Sequence, residues 1–127
     1  MIPHEKINYV ELPAKDIEST KVFFNEVFNW SFVDYGSDYT SFSNEGLDGG
    51  FFKSKRVMSQ KNGSALIVFY SKSLEKTQAK IEAAGGNIIQ AIYSFPGGRR
   101  FHFSDPNGNE FAVWSGLLSL HNARIKG

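Results

Sequence analysis

The chain contains no cysteine among its 127 residues. Disulfide bonds, thiolate metal sites and cysteine nucleophiles are therefore excluded. Long apolar runs are missing as well. The opening residues, MIPHEKINYV, lack the apolar stretch of a signal peptide, and no segment is long enough to span a bilayer. We therefore expect a cytoplasmic protein without a membrane partner.

The sequence also lacks an excess of charge of either sign. Fourteen basic and 13 acidic residues leave a formal net charge of +1. The densest basic cluster, Lys53, Lys55 and Arg56, is typical of a solvated loop, so no nucleic-acid partner is expected. Aromatic residues are abundant instead. Twelve Phe, five Tyr and two Trp are enough for a substantial core or an aromatic-lined pocket.

One pattern of secondary structure occurs twice along the chain. Residues 7–12 alternate as a strand does, and Asp16 can cap a helix with an apolar stripe. The short aromatic-rich runs WSFVDY, YTSFS and GGFF then predict three strands. The pattern restarts with a strand at residues 65–71 and a helix that Ser73 can cap and Gly85-Gly86 end. The runs NIIQAIY, RRFHFS and NEFAVW predict three further strands.

An internal alignment supports the repeat. Shifting residues 9–32 by 57 positions places them on 66–89 without a gap, so that Val10 meets Ile67 and Phe24 meets Ile81. A repeated strand, helix and three strands predicts an α+β fold of two βαβββ modules. The predicted division is a single domain of residues 1–127 with modules at about 6–52 and 65–115, a linker at 53–64 and a C-terminal tail at 116–127.

The segments INYVELPAKDIESTKVFFNEVFNW, AAGGNI and RRFHFSDPNGNEFAVW give the chain a family resemblance. Over roughly residues 6–115 it resembles the vicinal oxygen chelate superfamily, which includes glyoxalase I, fosfomycin and bleomycin resistance proteins and extradiol dioxygenases. The resemblance implies a glyoxalase-like fold, in which the modules form a curved mixed sheet around a ligand cleft. It also implies a homodimer, in which a symmetric partner would cover the open sheet edges.

The metal site of this superfamily is not matched in the sequence. The positions that correspond to its four ligands hold Tyr9, Phe51 (within one residue), Leu66 and Ala112. Hydrocarbon side chains offer no lone pair, and one tyrosine cannot hold a divalent ion. The chain therefore resembles a metal-less, glyoxalase-like branch, for which we expect no metal and no cofactor. A substitute site built from Glu11, His102 and Glu110 stays open as an alternative.

The stretch FSDPNGNE concentrates polar groups that could suggest a metal site. Asp105-Pro106-Asn107-Gly108 follows the rules of a tight turn, with Pro at the second position and Gly where φ can be positive. We therefore expect a hairpin whose polar side chains face water.

Strand alternation predicts which residues face the cleft. The expected ligand-binding residues are Tyr9, Glu11, Leu66, Val68, Tyr70, Arg100, His102, Glu110, Ala112 and Trp114. Glu11 and His102 are the candidate general bases. An inward Glu11 needs a partner such as Arg100 or a ligand, whereas Glu110 beside the turn can simply be solvated. Trp30 is expected in the core, and Trp114 in either the core or the site.

Three functions fit this sequence. The first is a small-molecule-binding protein that holds an organic ligand in an aromatic cleft without metal. The second is a metal-independent lyase or isomerase that uses Glu11 or His102 as general base. The third is an accessory domain whose cleft is filled by its own side chains. A metal-dependent glyoxalase-type lyase or dioxygenase is a further alternative, should the substitute metal site form.

Overall fold

The computed structural model describes residues 1–117. Most of the predicted C-terminal tail at 116–127 lies outside these residues. The first module consists of β1 (Tyr9–Ala14), α1 (Ile17–Phe28), β2 (Val33–Asp34), β3 (Tyr39–Phe42) and β4 (Asp48–Lys53). The second consists of β5 (Ile67–Tyr70), α2 (Leu74–Ala83), β6 (Asn87–Phe95), β7 (Gly98–Ser104) and β8 (Glu110–Gly116).

The two modules have the same topology. Their strands form two four-stranded mixed sheets, ordered β1-β4-β3-β2 and β5-β8-β7-β6. The first strand of each module runs parallel to the last strand, and the remaining neighbours are antiparallel. The prediction of two βαβββ modules in a glyoxalase-like fold is therefore confirmed.

The helix boundaries follow the sequence signals with one exception. Asp16 caps α1 by accepting a hydrogen bond of 3.2 Å from the Ser19 backbone N–H. Gly85, at φ 97°, follows the end of α2 in the left-handed conformation that glycine tolerates. The predicted cap of α2 is wrong, because the Ser73 side chain makes no capping hydrogen bond. Its backbone N–H is instead satisfied by the Ser71 hydroxyl at 3.0 Å.

The hydrophobic core is shared by both modules. The Phe24 ring of α1 lies 5.5 Å from Phe51 in the first sheet and 5.4 Å from Phe111 in the second. Phe28, one turn further along α1, stacks on Phe69 of β5 at 4.3 Å. Trp30 is buried between Phe24 and Phe42, which confirms its prediction as a core residue. We call the sheet faces that carry this core the inner faces and the opposite faces the outer faces.

The predicted linker docks against the second sheet. The Met58 carbonyl accepts a hydrogen bond of 2.8 Å from the Glu110 backbone N–H, and the Met58 N–H donates to Asn109 Oδ1 at 2.9 Å. This segment therefore lies beside the first residue of β8, just before the part of β8 that pairs with β5. No helix of residues 1–117 is both long and apolar enough to cross a membrane.

Candidate functional site

The predicted ligand-binding residues lie mainly on the two outer faces. In the first sheet, Glu11 pairs in register with Gly50, which pairs with Ser41. In the second sheet, Val68 pairs with Ala112, which pairs with His102. Register partners point to the same side of a sheet. The first outer face therefore carries Tyr9, Glu11, Tyr39, Ser41 and Phe52, and the second carries Val68, Tyr70, Tyr93, Arg100, His102, Ala112 and Trp114.

The two halves of the predicted cleft lie on different sheets. Both inner faces pack on a common core, so both outer faces are turned away from it. The expected ion pair between Glu11 and Arg100 does not form in residues 1–117. Glu11 instead accepts a hydrogen bond of 2.9 Å from the Tyr39 hydroxyl, and Arg100 contacts His102 at 3.1 Å. One chain therefore supplies two separate half-sites.

His102 is the centre of the second half-site. Its side chain lies on the outer face of β7, yet His102 is only 4 % exposed. Nδ1 lies 2.9 Å from Glu110 Oε2, and Nε2 lies 3.1 Å from Arg100 Nη2 and 3.3 Å from the Tyr93 hydroxyl. A guanidinium can only donate, so Nε2 accepts and the ring proton is on Nδ1. The Nδ1–H group therefore donates to Glu110 Oε2.

The Glu110 carboxylate is held in place on both of its oxygens. Oε2 accepts from His102, and Oε1 accepts from the Gln60 backbone N–H at 3.0 Å. Burial raises the pKa of Glu110, but the hydrogen bonds from His102 and Gln60 outweigh it, and the net pKa lies below its ordinary value. Glu110 is 8 % exposed, so the expectation that it is simply solvated is wrong. The docked linker covers this carboxylate, which sequence alternation alone does not reveal.

We call the buried polar groups around His102 the polar floor. Aromatic rings form a wall beside it. The Arg100 guanidinium carbon lies 6.0 Å from the Tyr93 ring centre and 5.9 Å from that of Phe95. Trp114, the register partner of Arg100, makes edge contacts with Phe95 at 6.1 Å and with Tyr70 at 4.9 Å. Trp114 is half-buried on the second outer face and lies outside the inner core.

In the first half-site, three polar side chains are linked in series by hydrogen bonds. The hydroxyls of Tyr9 and Tyr39 lie 2.6 Å apart, and Tyr39 donates to Glu11. Burial, followed by the hydrogen bonds to Tyr9 and Glu11, raises the pKa of the Tyr39 hydroxyl. The Tyr39 ring lies directly over Gly50, where a Cβ would collide with it. Sequence reasoning missed Tyr39; its alternation with Ser41 in YTSF was the available signal.

A separate apolar cavity opens between β1 and β5. It has a volume of about 520 Å³ and reaches the core rings of Trp30, Phe42 and Phe69. Glu45 contributes a carboxyl group to the lining, and burial raises the pKa of that carboxyl. Three residues predicted for the cleft, Leu66, Val68 and Tyr70, line this cavity. Val68 and Tyr70 therefore border both the cavity and the second outer face.

The Asp-Pro-Asn-Gly turn is not a solvated hairpin tip, so that expectation is wrong. Asp105 and Asn109 are each 1 % exposed. The Asn107 side chain accepts from the Asp16 backbone N–H at 2.9 Å and donates to Thr20 Oγ1 at 2.6 Å, and Asn109 donates to the Pro13 carbonyl at 2.6 Å. The polar groups are buried because they join the second module to the first. This turn is a structural junction.

The residues at the superfamily's metal positions do not fit a metal ion. Phe51 is fully buried on the inner face, and the neighbours that point outward, Gly50 and Phe52, offer no ligand atom either. Leu66 and Ala112 are hydrocarbon. The substitute set does not converge within the chain, because Glu11 is bonded to Tyr39 while His102 and Glu110 pair on the other sheet. Residues 1–117 contain no group of three His, Asp or Glu side chains that could hold a metal ion.

The comparisons with known proteins identify the family. Residues 6–113 match the model of the Glyoxalase/Bleomycin resistance protein/Dioxygenase superfamily, and the chain belongs to that superfamily. No curated protein sequence matches the chain significantly.

Solved structures of this superfamily share the fold. A glyoxalase-related enzyme from Fulvimarina pelagi is 17% identical with a TM-score of 0.74, over 88% of each chain. The fosfomycin resistance protein FosX from Listeria monocytogenes is 21% identical with a TM-score of 0.73, over 94% of this chain and 98% of FosX. A lactoylglutathione lyase from Agrobacterium tumefaciens is 20% identical with a TM-score of 0.66, over 92% of this chain and 98% of the lyase.

Proposed function

We propose that this protein binds a small organic ligand in a metal-free cleft between the first outer face of one copy and the second outer face of another. The observation that carries the proposal is the second outer face itself. It combines an aromatic wall, Tyr70, Phe95 and Trp114, with a buried polar floor around His102. A largely apolar surface with a few converging polar groups is typical of small-molecule sites.

A second copy is part of the proposal because each half-site exposes aromatic rings in residues 1–117. Tyr9 is 43% exposed on the first outer face, and Tyr70 is 49% exposed on the second. Val68 and Phe52 are exposed nearby. Apolar side chains grouped on a surface mark sites of association, and a two-fold dimer presents each outer face of one copy to the other copy. A homodimer would thus reunite the ligand-binding residues that one chain separates.

We also propose a cytoplasmic location, since a chain without cysteine cannot form the disulfide bonds that an oxidising compartment favours.

The absence of a resident metal follows from the donor set. Reuniting the faces brings Tyr9, Glu11 and Tyr39 towards Leu66, Ala112 and the His102–Glu110 pair. Both oxygens of Glu110 and both ring nitrogens of His102 already have partners. A metal ion would have to displace these hydrogen bonds, and its other neighbours would be hydrocarbon groups. The free energy lost in this way exceeds the free energy that the remaining ligands would supply.

The two tryptophans provide a direct test of the ligand site. Trp30 lies in the core beside the cavity, and Trp114 lies on the second outer face. Their indole N–H signals in a ¹H–¹⁵N spectrum can be assigned with a Trp114→Phe variant. Fragments from a library of small aromatic and heteroaromatic compounds should shift the Trp114 signal and leave the Trp30 signal in place. Fragments that move only the Trp30 signal would place the site in the cavity and contradict the proposed cleft.

A second candidate function is metal-independent acid–base catalysis. It is favoured by the His102–Glu110 contact of 2.9 Å, which orients the imidazole as in many general-base pairs. The Arg100 contact at Nε2 opposes it, because the lone pair that would accept the proton of a substrate is already occupied. Glu11 is the alternative base, on the first outer face. Once a substrate is known, a His102→Gln variant that binds it normally but no longer converts it would establish this function.

The accessory-domain alternative is less well supported. Tyr70 and Trp114 do contact each other, but Tyr9 is bonded to Tyr39 on the other sheet and does not join them. A cleft filled by its own side chains would need all three rings together.

A further inference from the structure

We propose that Arg100 is an oxyanion-binding residue, so that the ligand of the cleft is a small organic anion whose carboxylate or phosphonate contacts this guanidinium and whose flat apolar body lies on the aromatic wall. The inference rests on the proposed cleft and specifies the class of its ligand.

Arg100 has an incomplete set of hydrogen bonds. A guanidinium has five N–H donors. In residues 1–117, Arg100 uses Nη2 to donate to His102 Nε2, while Nε is buried without a partner. A buried donor without an acceptor costs free energy, and more so on a charged group. The side chain is therefore short of acceptors. Because Nε is buried, the N–H groups left for a ligand are those on Nη1 and the second one on Nη2, and an oxyanion is the acceptor that best matches them.

No carboxylate of residues 1–117 forms an ion pair with Arg100. Glu110 is on the far side of the imidazole, and both of its oxygens are occupied, by His102 and by the Gln60 N–H. Glu11 is on the other sheet and bonded to Tyr39. The neighbouring Arg99, in contrast, has a carboxylate partner for its guanidinium. Arg99 makes a bidentate ion pair with Glu75, at 2.6 and 3.2 Å, on the opposite face of the same strand.

The surroundings of Arg100 fix the guanidinium in position. Tyr93 and Phe95 flank it at 6.0 and 5.9 Å, and His102 holds one end. A cation held between aromatic rings loses little side-chain entropy when an anion binds. Trp114 lies across the strand pair from Arg100 and continues the apolar surface. The arrangement suits an anion attached to a flat ring.

The test uses a matched pair of probes, 2-naphthoate and 2-naphthamide, which have the same ring and nearly the same shape and differ in charge. Dissociation constants come from titrations followed by the Trp114 indole signal. We expect 2-naphthoate to bind roughly 10- to 100-fold more tightly than 2-naphthamide, the range for one charge-assisted pair. Arg100→Met should remove this preference, whereas the control Arg99→Met, on the opposite face, should keep it.

Arg100→Lys guards against misfolding of the methionine variant, since it keeps the charge and loses the planar fork. It should retain part of the preference. Equal affinity of the two probes for the native protein would overturn the anion inference while leaving the apolar cleft intact. Failure of both probes to move the Trp114 signal at millimolar concentration would overturn the anion inference and count against the cleft as well. A carboxylate preference that survives in Arg100→Met would assign the anion to another residue.

Discussion

The buried carboxyl of Asp105 should make the stability of this protein fall as the pH rises from about 4 to 6. Asp105 Oδ1 accepts from the backbone N–H groups of Asn107 and Asn109, but Oδ2 is buried without a partner. Burial raises the pKa of Asp105 from 3.8 to about 6, against the lowering effect of those N–H groups. The native state therefore holds a proton that the unfolded chain releases.

The size of the effect follows from the two pKa values. A rise from 3.8 to about 6 corresponds to about 3 kcal/mol. This stabilisation is fully present below pH 4, where both states are protonated, and it is lost as the pH rises through 6. Asp105→Asn keeps the Oδ1 acceptor and removes the ionisation. The variant should thus match the native protein near pH 4 and exceed its stability by up to about 3 kcal/mol at pH 7.

Urea unfolding at pH 4, 5, 6 and 7, at one protein concentration, measures this difference, because every other titrating group is common to both proteins. Asp34→Asn is the control that should show no pH dependence in this range. The Lys21 hydrogen bond lowers the pKa of Asp34 from its ordinary value of 3.8, so its contribution is lost only as the pH falls below about 4. A stability difference between Asp105→Asn and the native protein that stays constant from pH 4 to 7 would refute the reasoning.

Three further predictions concern assembly, metal and the junction. Val68→Asp on the second outer face should reduce the light-scattering mass from twice 14.2 kDa to one chain, whereas Val22→Asp on exposed α1 should not; an intact dimer in Val68→Asp would contradict the proposed interface. Elemental analysis of protein purified without an affinity tag should find far less than one divalent metal per chain, and nickel, zinc or manganese should leave the melting temperature unchanged; a metal-specific shift abolished by Glu110→Gln would contradict this. Asn107→Ala should lower the free energy of unfolding by about 1–3 kcal/mol, because it leaves the Asp16 N–H without its acceptor, and an unchanged urea midpoint would count against the junction.

The architecture was predictable because local sequence patterns specify each strand and helix of the repeat. Alternation sets each strand, helical spacing sets each helix, and both occur twice with the same order of elements. The outer-face parity of Val68, Ala112 and His102 was predictable for the same reason. Single side-chain caps were less certain. Ser73 occupies the N-cap position of α2, but its side chain makes no capping hydrogen bond, and the Ser71 hydroxyl accepts from the Ser73 backbone N–H.

Long-range contacts were beyond the sequence. The Asp-Pro-Asn-Gly turn has the composition of a water-facing hairpin, and only the packing of the two modules reveals that Asn107 reaches Thr20. Similarly, Glu11 and Arg100 share cleft parity, but parity within a strand does not say whether two sheets face each other or lie back to back. The Tyr39 partner of Glu11 depends on the register between β3 and β4, which no local pattern encodes.

The most direct test of the central claim is a crystal structure of the untagged protein, with anomalous scattering recorded for divalent metals. The account predicts a homodimer in which the first outer face of one copy covers the second outer face of the other. Tyr9 and Glu11 should then face Ala112 and Arg100 across a cleft that can hold an organic molecule, with no anomalous peak between them. A monomer, a dimer through other faces, or a metal bound between Tyr9 and Ala112 would contradict it.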